Sequence, residues 1–293
     1  MVKEKVLKKQ YYSYIVPSIV SQIVYSAYVL VDGIFVARGV SETALAAVNI
    51  AAPFMTFLWA ISLTFASGTS TVAARLLGQG KPEEASKVFS RNMSAMTVLG
   101  ILISLIVGFA MEPFCNLLGA GPETMEYVQL YIGTIVPFSL FFLMSYTLEI
   151  LTATDGYPKV ATVTVSVGVV LNIVLDYLFI FVMDKGVWGA AVATAISQVI
   201  VIIIYLFHFC GPRATIRFCR FLKRETGENL KYNCREVFKG MGKGVPSGIN
   251  EMAPGIITFI FVHSIQIYLG EREIVAYSAV NYIAKLIIFI GVG

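Results

Sequence analysis

Few side chains in this sequence can do chemistry where they stand. Asp32, Glu149, Asp176, Glu251 and Lys285 each fall inside a long apolar run. An ionisable group in such a setting costs several kcal/mol unless it faces protein or water, so each is a candidate for function. Asn172 and Asp176 are four residues apart and project from one face of a helix. Counted from the ends of their runs at about 1.5 Å per residue, Asp32 lies roughly 8 Å deep, Asp176 roughly 10 Å, Thr194 roughly 12 Å and Asn172 roughly 16 Å, all from the same side. One layer therefore holds two carboxylates, an amide and a hydroxyl. Oxygen-only ligands of this kind suit a small hard cation such as sodium, calcium or magnesium rather than copper or zinc. Without a cation, adjacent buried carboxylates cannot both ionise cheaply, and one holds a proton. The layer is a candidate Na⁺ or H⁺ site, and the competing reading is that Asp32 and Asp176 only tie helices together or reach the nearer interface.

The other polar groups divide by depth. Glu149 is six residues from Asp155 at the end of its run, within snorkelling reach of the interface. Glu251 lies roughly 10 Å from one side and Lys285 roughly 17 Å from the other, nearly one level in a core of about 30 Å, so the two are expected to face each other as a buried pair. His208 borders an interface, and His263 has no polar neighbour at helical spacing, which assigns both to packing or the interface. Phe54, Met55, Phe57, Phe141, Phe142 and Met144 could line an adaptable pocket for flat cations, although core or lipid packing accounts for any one of them.

The elements that must carry these groups are membrane helices. The 293 residues are 57% hydrophobic and 14% charged, against about 45–50% and about 25% in a soluble domain, so the chain cannot cover its own surface in water. A disulfide scaffold is excluded because four cysteines without a CxxC spacing staple nothing. Eight runs are long enough to cross a bilayer core: 11–37, 43–74, 92–111, 127–154, 160–183, 186–211, 244–270 and 274–293. All are too long for strands and lack the alternation of a membrane barrel, so the fold class is all-α and integral to the membrane.

With the amino terminus in the cytoplasm, 18 of the 22 lysines and arginines fall inside, three fall outside, and Lys285 lies within a span. That asymmetry predicts a multi-pass plasma-membrane protein with a cytoplasmic amino terminus. The basic residues then report topology, and no nucleic-acid partner is needed to explain them. The first run is too long for a signal peptide and lacks a small-residue cleavage site, so it is expected to remain as the first helix.

A polar, basic segment, 212–243, separates the first six spans from the last two, and the chain begins in a similar way on either side of it. IVPSIVSQ at 15–22 is similar to GVPSGINE at 244–251, and AAVNIAAPF at 46–54 to SAVNYIAKL at 278–286. Six spans lie between the copies, so both start on the same side and form a parallel repeat, as in transporters whose halves rock about a central site. The organisation is an amino-terminal lobe at 1–211, a cytoplasmic linker at 212–243, and the first two helices of a second lobe at 244–293. A second unit matching the first needs six spans, so about four helices are expected to be missing.

The chain resembles the multidrug and toxic compound extrusion (MATE) transporters. The resembling segments are Pro17, VDGIFVARGVSETALAAVNIAAP at 31–53, GQGKPEEA at 78–85, ATDGYPK at 153–159, LNIVLDYLFIF at 171–181, GVWGAAVATAISQ at 186–198 and GVPSGINE at 244–251. The resemblance implies two six-helix lobes around a central cavity, expelling organic cations or amphipathic drugs in exchange for Na⁺ or H⁺; no cofactor is expected, and the full-length protein is expected to be a monomer. It also implies that Asp32, Asn172, Asp176 and Thr194 form the cation site, and that Glu251 is the acidic residue used by some members at the start of the second lobe. Pro17 and Gly33 are the expected bending points of the first helix, because proline lacks a backbone donor and glycine lacks a Cβ. A flippase for lipid-linked substrates is the related alternative, but it would need several basic residues in its cavity, and Lys285 is the sole one within a span. A membrane enzyme is disfavoured, because the second Asp-rich motif of a prenyl transferase and the GxGD of an aspartyl protease do not occur.

Overall fold

The computed structural model describes residues 2–219, 230–270 and 272–292. The side chains of Pro17 and Lys285 are outside the described set, so the expected Glu251–Lys285 pair and any role of the Pro17 ring fall outside the described residues. Among the described residues every regular element is helical: α1 (Val2–Gly39), α2 (Glu42–Gly78), α3 (Pro82–Phe109), α4 (Met111–Leu118), α5 (Met125–Ile135), a 3₁₀ turn (Val136–Phe138), α6 (Ser139–Thr154), α7 (Pro158–Asp176), a π turn (Tyr177–Val182), α8 (Gly186–Cys210), α9 (Leu230–Tyr268) and α10 (Arg272–Val292). Six helical stretches among the described residues are long and apolar enough to cross a membrane. The chain is an all-α membrane protein, as its composition requires.

Local chemistry sets the helix boundaries. Ser41 caps α2, its hydroxyl accepting from Ala44 N at 3.0 Å, with Glu42 in the first turn against the helix dipole. Pro82 and Pro158 open α3 and α7, where a missing N–H costs nothing. Gly119 ends α4 at φ 95°, a conformation open to glycine because it has no Cβ.

Three elements differ from the sequence expectation. The fourth run is broken at Pro137, and the Val136 carbonyl at the break accepts from Ser104 Oγ at 2.7 Å and Ser139 Oγ at 2.8 Å. The third run ends at Phe109 and is followed by the separate short helix α4. The polar segment 212–243 is not linker throughout, since α9 begins at Leu230 and carries its polar residues out of the apolar layer as continuous helix.

The helix α2 is the axis of the packing. Parallel to it lies α6, locked by Ser62 Oγ donating to the Leu143 carbonyl at 2.7 Å, by a Ser62–Thr147 hydroxyl contact at 2.9 Å, and by Ser70–Thr154 at 2.8 Å nearer the basic end. Antiparallel on another face lies α9, the most extensive helix pairing among the described residues. Their backbones touch because α9 presents Gly240, Gly244 and Gly248 at four-residue spacing and then Gly255. A Cβ at Gly244 would collide with the Thr64 carbonyl, one at Gly248 with the Thr64 hydroxyl, and one at Gly255 with Thr56. Small residues at this spacing let membrane helices approach closely where lipid offers no hydrophobic driving force. On the far side of the bundle, α1 packs against α7 and α10.

Replacing Gly248 by leucine should force α2 and α9 apart and cost about 1–3 kcal/mol, the usual penalty for overpacking. The expected result is a lower melting temperature of the purified protein in detergent, with Gly242→Leu unchanged as the control, because a Cβ at Gly242 meets nothing within 4 Å.

Candidate functional site

The four residues of the polar layer converge. Asp176 is fully buried at the last position of α7, Asn172 lies one turn earlier at 3% exposure, and Thr194 on α8 is 4% exposed. With its amide oriented to satisfy both ends, Asn172 donates to Asp176 Oδ2 at 2.9 Å and accepts from Thr194 N at 3.2 Å. The Thr194 hydroxyl donates to the Ala190 carbonyl at 3.0 Å and lies 3.3 Å from the Asn172 amide. Asp32, half-buried on α1, brings its carboxyl group within hydrogen-bonding distance of Asp176. Asp176 Oδ1 is buried, and no donor N–H or O–H among the described residues is paired with it.

Three packing devices hold this geometry. Gly168 lies one turn before Asn172, and a Cβ there would collide with Val201, so glycine lets α7 and α8 close until Asn172 meets Thr194. Directly after Asp176 the chain winds into the π turn, which swings Tyr177 and Phe181 toward α1. Phe35, one turn beyond Asp32, meets the Phe181 ring edge-on at 5.3 Å and the Tyr177 ring at 6.5 Å. At the end of α1, a Cβ on Gly39 would strike Ile180. Together these contacts press α1 against the end of α7 at the level of the two aspartates. Single π turns of this kind recur at functional sites. Gly33, next to Asp32, is buried within an unbroken helix, and α1 continues through both expected bending positions.

A carboxylate facing another carboxyl group at this distance needs a positive charge between them, either a proton shared along the contact or a small cation held by both. The donor set fits either. It supplies two carboxyl groups, a hydroxyl oxygen with free lone pairs, and the open Asp176 Oδ1, with no sulfur or imidazole to draw a softer metal.

Other expected roles shift. Glu149 does not snorkel; it lies half-buried within electrostatic reach of Tyr146 and the fully buried Tyr205, because α6 turns this face toward the protein. Glu251, on the α9 stripe that faces α2, lies within electrostatic reach of the same Tyr146. Phe54, Met55 and Phe142 are core residues at 3%, 8% and 1% exposure, whereas Phe57 is exposed. His263 stacks on Phe259 at 4.9 Å, in keeping with packing.

His208 packs edge-on against Tyr157 and Phe209 near the end of α8, as expected, and also makes a polar tie. Its Nε2 lies 3.1 Å from Asp155 Oδ2, and the Asp155 carboxylate also accepts from the backbone N–H groups of Thr215 at 3.1 Å and Ile216 at 2.8 Å. Ser86 and Ser90 receive the N–H groups of Arg217 and Cys219, and the Tyr157 hydroxyl donates to the Arg213 carbonyl at 2.8 Å. The ATDGYPK segment thus fastens the chain that leaves α8. The partners of Asp155 are about 60 residues away along the chain, and no local pattern names them.

Comparison with known proteins places this architecture. The MatE family model matches residues 17–178. A multidrug export protein MepA from Staphylococcus saprophyticus is 29% identical over 72% of this chain and 46% of its own length. The MepA of Staphylococcus aureus strain NCTC 8325 is 25% identical over 80% of this chain and 50% of its own. The chain therefore spans about half the length of the curated relatives it matches. Among solved structures, the MATE multidrug transporter DinF-BH, captured in a ligand complex, superposes with a TM-score of 0.83 at 26% identity, over 96% of this chain and 61% of that one. An inward-facing MATE transporter shares the fold at a TM-score of 0.77 and 23% identity, over 88% of this chain and 56% of that one. The match of the family model over more than half the chain, on a fold of the same architecture, makes this protein a member of the MATE transporter family.

Proposed function

We propose that the chain serves in the efflux of organic cations or amphipathic drugs across the plasma membrane, driven by antiport of Na⁺ or H⁺ at the Asp32–Asp176 site. The single observation that carries this reading is the meeting of carboxyl groups from two different helices, α1 and α7, with Asp176 Oδ1 buried and paired with no donor N–H or O–H among the described residues. The names of the relatives support the substrate class: the MepA proteins are called multidrug export proteins, and DinF-BH is called a multidrug transporter. The excess of lysine and arginine at one end of the bundle supports a cytoplasmic placement of that end, so that the aspartates lie toward the outside.

In this mechanism an entering cation or proton neutralises the repulsion between Asp32 and Asp176 and draws α1 onto the end of α7. The segment that moves with Asp32 is the one holding Gly33 and Phe35, whose ring slides on the π turn. A small ion drives the cycle only through unequal affinity for the two conformations. The site meets that condition because one carboxylate belongs to α1 and the rest of the donor set to α7 and α8. Separating α1 from α7 dismantles the site, so occupancy and helix position are linked. Asn172 keeps Asp176 oriented throughout, and Asn172 and Thr194 move as one body with it.

Asp32→Asn and Asp176→Asn are each expected to abolish ion-stimulated dye efflux from vesicles while the protein still reaches the membrane. Imposed sodium and proton gradients, applied in turn, identify the coupling ion, and efflux at the unsubstituted rate in both variants would overturn the assignment. Asn172→Ala leaves Asp176 Oδ2 without its donor and should cost about 1–3 kcal/mol, read as a lower melting temperature in detergent.

A further inference from the structure

Asn49 and Asn281 occupy the same place in the two sequence repeats, in AAVN of the first unit and SAVN of the second. They also touch, with Asn281 Nδ2 donating to Asn49 Oδ1 at 2.9 Å. In a parallel repeat the two units are related by a two-fold axis, and a residue can meet its own counterpart only where that axis passes. The pair therefore marks the axis, close to the end of the bundle opposite the basic segments.

On the α2 side the surroundings are buried and apolar, while Asn281 on α10 is half-buried. Asn49 is 1% exposed among Ala46, Ala47, Ile50 and Ala51, which are all fully buried. Two amides facing across an axis can exchange two hydrogen bonds, but among the described residues only one is made, and Asn49 Nδ2 is buried with no partner among them. One bond holds the contact while one orphaned donor opposes it. A polar contact balanced in this way closes without locking, unlike the glycine-to-backbone contact at the other end of the same face. Asn49 and Thr56 are seven residues apart and share a face of α2. Thr56 lies against Gly255, and the face ends at the Ser67–Ser247 contact of 3.1 Å. These groups all meet α9 or α10, so the Asn49–Asn281 contact is among those that part when the two units separate on that side.

We infer that Asn49 and Asn281 form the outer gate of the transport cycle, a clasp on the repeat axis that closes the outer mouth and parts to open it. The inference rests on the transport reading for its place in a cycle, but the clasp itself is testable without transport. The full chain is reconstituted with Cys115→Ala, Cys210→Ser, Cys219→Ser and Cys234→Ser, and Thr56→Cys reports access from outside to a membrane-impermeant maleimide. With both asparagines present, labelling should be slow. Asn281→Ala, which strands both polar groups of Asn49 in the closed form, should raise the rate roughly tenfold, the scale set by one net hydrogen bond. An unchanged rate, with the cysteine reactive in unfolded protein, overturns the gate.

A second variant covers the case in which Asn281→Ala does not fold. Asn49→Cys with Asn281→Cys, bridged by mercuric ion, should block dye efflux and recover on adding dithiothreitol. Failure of the thiols to bridge, or full efflux from the bridged form, also overturns the gate. If the unsubstituted chain moves no dye under either gradient while labelling still responds to Asn281→Ala, the clasp stands and the efflux reading falls.

Discussion

Inside a bilayer no water is at hand to satisfy a polar group, so each one must be satisfied by the protein or bear several kcal/mol of penalty. That constraint runs through the whole structure. The hydroxyls of Thr56, Thr64, Thr69 and Thr71 donate to carbonyls one turn back along α2, so that a helix rich in Ser and Thr can stand in lipid. Ser62 reaches across to the α6 backbone, and Asn92 donates to the Thr69 hydroxyl at 2.7 Å. Polar groups thereby become the ties between helices, and much of the exposed surface is left to valine, isoleucine, leucine and phenylalanine.

The same constraint separates structure from function. Where a polar atom finds a partner, it fastens helices, as at Ser62 and Asp155. Two atoms without such a partner lie at the helix contacts described above. Asp176 Oδ1 and Asn49 Nδ2 are both buried with no hydrogen-bond partner among the described residues, one beside a second carboxyl group and one on the repeat axis. The first is an acceptor suited to a proton or a cation, and the second is a donor that leaves a closed contact incompletely satisfied. Both lie on the side away from the basic segments, one at the contact of α1 with α7 and the other at the contact of α2 with α10. The opposite side is closed by a different device, backbone pressed to backbone through Gly244 and Gly248, with the segment after α8 fastened by Asp155, Ser86 and Ser90.

The polar layer is legible in the sequence because depth along a helix follows from counting residues. Asp32, Asn172, Asp176 and Thr194 fall at similar depths, and Asn172 and Asp176 share a face by their spacing. Counting fails sideways. The height of Glu149 along its helix does not say which neighbour its face looks toward, and it turns to Tyr146 and Tyr205 rather than to the interface. His208 escapes a sequence reading for the same reason, since its partner Asp155 belongs to another helix end and the two become neighbours only when α6 and α8 pack.

What the amino-acid sequence determined by itself is the solvent and the level of each group: a membrane chain of long helices, a parallel repeat, and a polar layer, all following from composition and from the rise per residue. Packing alone decided which groups meet. Gly168 lets Asn172 reach Thr194, the π turn carries Phe181 to Phe35, and the glycines of α9 bring its backbone onto α2. Those are lateral contacts between segments far apart in the chain, and their distances depend on which side chains are small enough to let two helices touch.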